Sequence, residues 1–211
     1  MSMTSRAADP RVLLFDVGGV LVQLSGVKTM LGWMGESATS DEMWRMWLHS
    51  TPVREFERGR IGAEEFALAV TAEFRLPVNP QQFLASFTGW VTGLYPGTLE
   101  MLAQIPNSYQ RAVLSNNNAL HWTRVVDDLK LGPVFSHHFV SHLTGRIKPD
   151  ADAFQGVVES LGCRPKDVLF LDDNILNVEA AKRFGMQAIR VQGIGETRAA
   201  LIERGIIDGE S

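Results

Sequence analysis

The stretch VLLFDVGGVLV (Val12–Val22) carries four apolar residues into a single acid, Asp16, breaks on Gly18-Gly19 and resumes as a second apolar run. An apolar run without alternation reads as a strand covered on both faces, the habit of parallel sheets packed between helices. Four further runs read the same way: RAVLSN (Arg111–Asn116), HHFVSH (His137–His142), DVLFLDD (Asp167–Asp173) and QAIRV (Gln187–Val191). Helical patterns separate them at GTLEMLAQI (Gly97–Ile105), DAFQGVVESLG (Asp152–Gly162) and NVEAAKRFG (Asn177–Gly185). Gly162 and Gly185 stand where a left-handed residue ends a helix. Strands alternating with helices predict an α/β fold, a doubly wound parallel sheet with helices on each face.

The 211 residues suffice for one sizeable domain or for a core with a smaller insertion. A hydrophobic content of 45% can bury a core, and a formal charge of −4 disfavours nucleic acid or an anionic membrane as partner. Cys163 is the only cysteine, so no internal disulfide can form and a reducing cytoplasm is the expected location. The opening MSMTSRAADPR (Met1–Arg11) lacks the apolar core of a signal peptide, and no later run is long enough to span a bilayer.

Residues 24–94 differ in texture. They show no convincing strand, and they hold Trp33, Trp44, Trp47 and Trp90 in helical spacing. Thr39 followed by Glu42 offers a capping box, after which Met43, Trp44, Trp47 and Leu48 mark one helical face. Phe66, Val70 and Phe74 recur at four-residue spacing, and Pro77, Pro80 and Pro96-Gly97 punctuate the segment. The expectation is a small helical domain over 24–94, inserted into a core made of 11–23 and 95–211.

Ligands of a doubly wound sheet bind beyond the carboxyl ends of its strands. Those ends carry Asp16, then Ser115-Asn116, then the loop with Lys148, then Asp172-Asp173. Singly, each fits ordinary turn chemistry. The adjacent acids are the stronger signal, because they repel each other unless a cation or donors neutralise them. Together, a hydroxyl, an amide and a lysine can hold phosphate oxygens, and carboxylates with a carbonyl suit Mg²⁺. A carboxylate aimed at phosphorus can act as nucleophile.

In this order and approximate spacing, FDVGGVL, VLSNN, GRIKPD and LFLDDNILNVEAAKRFGM resemble the motifs of the haloacid dehalogenase superfamily of hydrolases, across nearly the whole chain. YPGTLEML (Tyr95–Leu102) resembles the family's return from cap to core, and FERGRIGAEEF (Phe56–Phe66) its inserted cap. The nearest resemblance within it is to small sugar-phosphate phosphatases of the α-glucose-1-phosphate phosphatase and soluble epoxide hydrolase N-terminal types. The resemblance implies Asp16 as nucleophile, Ser115 and Asn116 as phosphoryl-binding groups and Lys148 as the cation that orients Asp16. It implies Mg²⁺ held by Asp16, Asp173 and the Gly18 carbonyl, with Asp172 acting directly or through a water. Asn177 supports that loop. The implied substrate is a small phosphorylated metabolite such as a sugar phosphate, with a mobile cap gating access.

One position departs from the pattern. Most phosphatases of the superfamily carry a second Asp two residues after the nucleophile, as the general acid and base, and here that residue is Gly18. The loss leaves the carbonyl in place but removes a proton carrier worth about 10²–10⁴-fold in rate. It leaves a 2-haloacid dehalogenase, or a weakly active binding protein, as alternatives, since a halide leaves without protonation. A receiver domain is disfavoured, because its paired acids belong at the first strand. His137, His138 and His142 read as edge or surface imidazoles rather than a metal cluster, with His138 and His142 on one strand face. Nothing beside Cys163 predicts an activated thiolate. Trp122 is read as packing, whereas Trp44, Trp47 and Trp90 are candidates for contact with substrate.

Overall fold

A computed structural model describes residues 10–35 and 39–209 of the protein; the leading segment weighed above as a targeting signal lies, up to residue 9, outside them. The chain opens with β1 (Val12–Phe15) and β2 (Val22–Leu24), followed by α1 (Gly26–Met34), α2 (Ser40–His49), α3 (Thr51–Glu57), α4 (Ala63–Glu73) and α5 (Pro80–Thr88). It returns through β3 (Val91–Leu94) to α6 (Thr98–Gln104), β4 (Gln110–Ser115), α7 (Ala119–Thr123), β5 (His137–Val140) and α8 (Ser141–Thr144). It ends with α9 (Ala151–Leu161), β6 (Val168–Asp172), α10 (Ile175–Phe184), β7 (Gln187–Arg190) and α11 (Gly193–Glu203). Among the described residues no helix is long and apolar enough to cross a membrane.

Five strands form a parallel sheet in the order β5-β4-β1-β6-β7. Every residue of β1 and β6 is buried, as continuous apolar runs require. Alternate side chains serve opposite faces: Leu13, Phe15 and Leu171 join one core cluster, and Val12, Leu14 and Phe170 the other. The edge strands depart from that expectation. In β5, His138 is exposed and only Val140 is fully buried, because an edge strand has a neighbour on one side only.

Two further expectations are corrected. Residues 24–94 do contribute a strand, since β3 pairs antiparallel with β2 in a two-stranded ribbon. Short strands with a glycine inside, as in VTGL, leave no alternation to read. His142 does not share a strand face with His138, because β5 stops at Val140 and His142 belongs to α8. The Ser141 hydroxyl makes the turn, donating to the Asn117 carbonyl and accepting from the Asn117 N–H, both at 2.9 Å.

Helices α1–α5 bury a third cluster of their own, with Met43, Trp47, Phe56, Phe66, Phe83, Phe87 and Trp90 at its centre. Phe56 and Phe66 stack with centroids 4.1 Å apart, and Trp47 touches Phe66, Phe74, Phe87 and Trp90. The capping box at Thr39 and Glu42 forms as expected, with each side chain bonded to the other's backbone N–H. Gly26 admits Trp90 against the backbone, where any Cβ would overlap the indole.

Candidate active site

Strand register gathers the chemistry at one end of the sheet. Phe15 stands between Val113 of β4 and Leu171 of β6, so the next residues, Asp16 and Asp172, leave their strands side by side. The Asp16 N–H donates to the Leu171 carbonyl at 2.8 Å, which fixes that alignment. Ser115 closes β4 one residue further on and is 2% exposed.

Lys148 reaches this point from the loop before α9, with 1% of its surface exposed. Its Nζ donates to Asp16 Oδ1 at 2.8 Å and to Asp172 Oδ2 at 2.7 Å. Burial works against the lysine's charge, but the two carboxylates outweigh it and raise its pKa above the ordinary value. Asp16 is pushed up to about 6 by burial, partly offset by Lys148, so it remains ionised at neutral pH. Such a pair is stabilising only while intact, because removing one partner strands a buried charge.

The paired acids divide into two different jobs. Asp172 is saturated: its oxygens accept from Lys148, from the Asn174 N–H at 2.8 Å and from the Asn177 Nδ2, which lies 3.1 Å from each of them. Asp173 instead points toward Gly19, a residue with φ of 74°, and a Cβ on that glycine would overlap its carboxylate. Burial and the charges of Asp16 and Asp172 push Asp173 up to about 8. One oxygen from each of Asp16, Asp172 and Asp173 falls within 4.8 Å of the others. Three carboxylates share a single lysine, and the Asn177 Oδ1 beside them is buried without a partner. That donor set, all oxygen and short of positive charge, fits a hard divalent cation.

Asn116 is used otherwise than its position implies. Its side chain donates to the Lys148 carbonyl at 2.9 Å and accepts from the Lys148 N–H at 2.8 Å, so it braces the lysine loop. Only its backbone is left for a phosphoryl oxygen.

These groups floor a cavity of about 140 Å³. Asp16, Ser115, Lys148 and Asp173 lie on one side, and Met30, Met43, Trp44, Trp47 and Trp90 face them from the helical segment. The volume is below the ~300 Å³ of the smaller drug-binding pockets. The Trp47 indole donates to Glu57 Oε1 at 3.3 Å and the Trp90 indole to Ser86 Oγ at 3.2 Å, so both N–H groups are engaged within the wall.

The family model of haloacid dehalogenase-like hydrolases matches residues 10–185. The chain belongs to this family. A phosphoglycolate phosphatase from Pseudomonas aeruginosa is 28% identical over 84% of this chain and 68% of its own length. An (S)-2-haloacid dehalogenase from Xanthobacter autotrophicus is 26% identical over 90% of this chain and 78% of its own. A HAD-family enzyme from Bacteroides thetaiotaomicron, solved with magnesium and inorganic phosphate, superposes with a TM-score of 0.65 at 23% identity, over 87% of this chain and 94% of its own. The family's hydrolase fold and the doubly wound sheet described above therefore agree.

The structure adds cavity-lining groups that sequence reasoning did not single out, namely Glu57, Asn117, Asn118 and His121. His121 is fully occupied: Nε2 meets the Phe87 carbonyl at 2.6 Å, Nδ1 meets the Asn118 side-chain amide at 3.3 Å, and its ring stacks on Phe87. Glu57 stands at the end of α3, and α3 is fastened to the core. Arg54 and Arg58 both donate to Asp150 Oδ2, at 2.6 and 2.7 Å, two residues after Lys148. Arg-x-x-x-Arg on one helical face was the available signal, but its partner lies more than ninety residues away in sequence.

Proposed function

We propose that the protein is a Mg²⁺-dependent phosphomonoester hydrolase working through a phospho-Asp16 intermediate. The observation that carries this reading is Asp16 paired with Lys148 on a cavity floor shared with Asp173, with Asp172 buried beside them. The phosphatase relative and the magnesium and phosphate of the solved family member support it. Residues 24–94 act as the cap over a core of 11–23 and 95–211, and the single cysteine, Cys163, suits a reducing, cytoplasmic location.

In this proposal the Asp16 oxygen not held by Lys148 attacks phosphorus in line with the leaving oxygen. Lys148 keeps Asp16 oriented and faces the transferring group with positive charge. The Ser115 hydroxyl and the Asn116 N–H bind phosphoryl oxygens. Asp16, Asp173 and the Gly18 carbonyl would hold Mg²⁺, which when bound offsets phosphate charge and polarises the phosphoryl oxygen. Asp172 serves chiefly to fix Lys148, since its oxygens already have protein donors. The apolar wall favours a compact organic group with few hydroxyls over the sugar that the subgroup resemblance implies, because hydroxyls there would go unpaired.

A second reading, 2-haloacid dehalogenation, draws on Gly18 and on the dehalogenase relative. The charge-deficient acids weigh against it, because attack on carbon gives Asp173 no cation to bind. The test is a panel of phosphoglycolate, sugar phosphates and aryl or benzyl phosphates, assayed with Mg²⁺ and with chelator. Turnover that needs Mg²⁺ and disappears in Asp16→Asn is expected. Halide release from 2-chloropropionate in chelator, without phosphate release, would replace this reading with the second.

A further inference from the structure

The phosphatase reading leaves the chain short of a proton carrier, because the residue two places after Asp16 is Gly18, which has no side chain. A Cβ on Gly18 would lie 2.7 Å from Leu24 Cδ1, so a leucine occupies the start of the path a side chain would take. An alkoxide leaving unprotonated is a poor leaving group, so another acid must line the cavity or the enzyme is confined to activated esters.

The titratable residues lining the cavity are Asp16, Lys148, Asp173, His121 and Glu57. The first two form the buried ion pair, Asp173 belongs to the carboxylate cluster, and both His121 nitrogens have partners. Glu57 is outside that cluster and half-buried, and its carboxylate receives one hydrogen bond among the described residues, from Trp47 to Oε1. Oε2 accepts no hydrogen bond among the described residues, on a side chain that lines the cavity. The charged groups acting on it are Lys148, Arg54 and Asp16, from the lysine loop, its own helix and β1. Burial outweighs them and lifts Glu57 to about 7, where it can be both acid and base near neutral pH.

Its position is also fixed. Arg54 and Arg58 flank Glu57 on α3 and grip Asp150, which follows the Lys148-Pro149 pair. Gly59, at φ 72°, brings the end of α3 against the His142 carbonyl, which a Cβ there would approach to 2.7 Å. The carboxyl is thus registered on the lysine loop rather than on a freely swinging cap.

We propose that Glu57 is the proton carrier of the reaction, a catalytic residue supplied by the helical segment in place of the acid missing at position 18. As Asp16 forms its bond to phosphorus and the bond to the leaving oxygen breaks, the Glu57 proton passes to that oxygen, directly or through one water. Water then attacks phospho-Asp16 and gives a proton to the Glu57 carboxylate. Inorganic phosphate leaves, and Asp16 and protonated Glu57 are restored.

This role rests on the phosphatase reading, and the test separates the two. The full chain and its Glu57→Gln variant, which keeps an acceptor for Trp47, are compared with Mg²⁺ on p-nitrophenyl phosphate and benzyl phosphate. These esters are similar in bulk and differ in leaving group. Glu57→Gln is expected to lose about 10²–10⁴-fold in kcat/KM on benzyl phosphate and less than about tenfold on p-nitrophenyl phosphate. The alkaline fall of the wild-type benzyl profile, near pH 7 because the acid must be protonated, should vanish in the variant, and Glu57→Asp should recover part of the loss. Equal losses on both esters, or an unchanged pH profile, would overturn the role of Glu57 while leaving the phosphatase standing. A wild type inactive on every phosphate would overturn both.

Discussion

The two walls of the cavity are built on opposite principles. The sheet side is polar: Lys148, Asp16, Asp172, Asn177 and Asn116 hold one another through hydrogen bonds and charge. The helical side is aromatic: Trp47, Phe87 and Trp90 line the cavity, and Phe56 and Phe66 pack ring against ring with them from outside its lining. The difference teaches a division of labour. Hydrogen bonds and charges fix the directions of the groups they join, which chemistry at phosphorus needs. Aromatic packing has no comparable direction, but it excludes water and shapes the space beside the reacting bond.

The largest effect should come from striking the polar wall. Lys148→Met leaves Asp16 and Asp172 as buried carboxylates without their cation, and should cost about 3–5 kcal/mol in urea unfolding together with most of the turnover. A variant that lost activity yet unfolded at the wild-type urea concentration would mean that the pair contributes direction alone. Phe66→Ala strikes the aromatic cluster behind the other wall at a fully buried ring, and a loss of about 3–5 kcal/mol is expected there too. The folded fraction should still respond to Mg²⁺, and an abolished response would show that the walls are not independent.

Smaller effects sharpen the contrast. At 100 times its Kd, Mg²⁺ should raise the stability of the wild type by about 2.7 kcal/mol, read as a shift of the thermal midpoint. Asp173→Asn should lose most of that shift, and Asn177→Ala should lose less, because Asn177 touches Asp172 rather than Asp173. Gly18→Asp is expected to change stability by no more than about 1 kcal/mol, since Gly18 does not need a positive φ and the displaced atom is a leucine tip. Its gain on benzyl phosphate should be slight in the wild type and large in Glu57→Gln. A large gain in both backgrounds would mean that Glu57 carries little of the proton transfer.

The polar wall was legible in the sequence because each of its members closes a strand or sits in a short recognisable run. Asp16, Ser115, Lys148, Asp172 and Asp173 needed only the rule that parallel strands deliver ligands at their carboxyl ends. What could not be read there was the sharing of partners. That Asn116 braces the Lys148 backbone, and that Asp172 is saturated while Asp173 is not, depend on side-chain geometry across three loops. The β2–β3 ribbon escaped because seven residues in two pieces carry no period. Glu57 escaped for a different reason. In FERGRIG it looks like one more solvated charge, and only the grip of Arg54 and Arg58 on Asp150 brings α3 to the cavity.

The hydrogen bond between Trp47 and Glu57 has a consequence for how such a protein can change over generations. The indole that shapes the space for the leaving group and the carboxyl that serves it lie ten residues apart in one contiguous segment. A substitution, insertion or exchange within that segment alters substrate preference and proton supply in a single event, while the phosphorus-handling strands, encoded elsewhere, are inherited untouched.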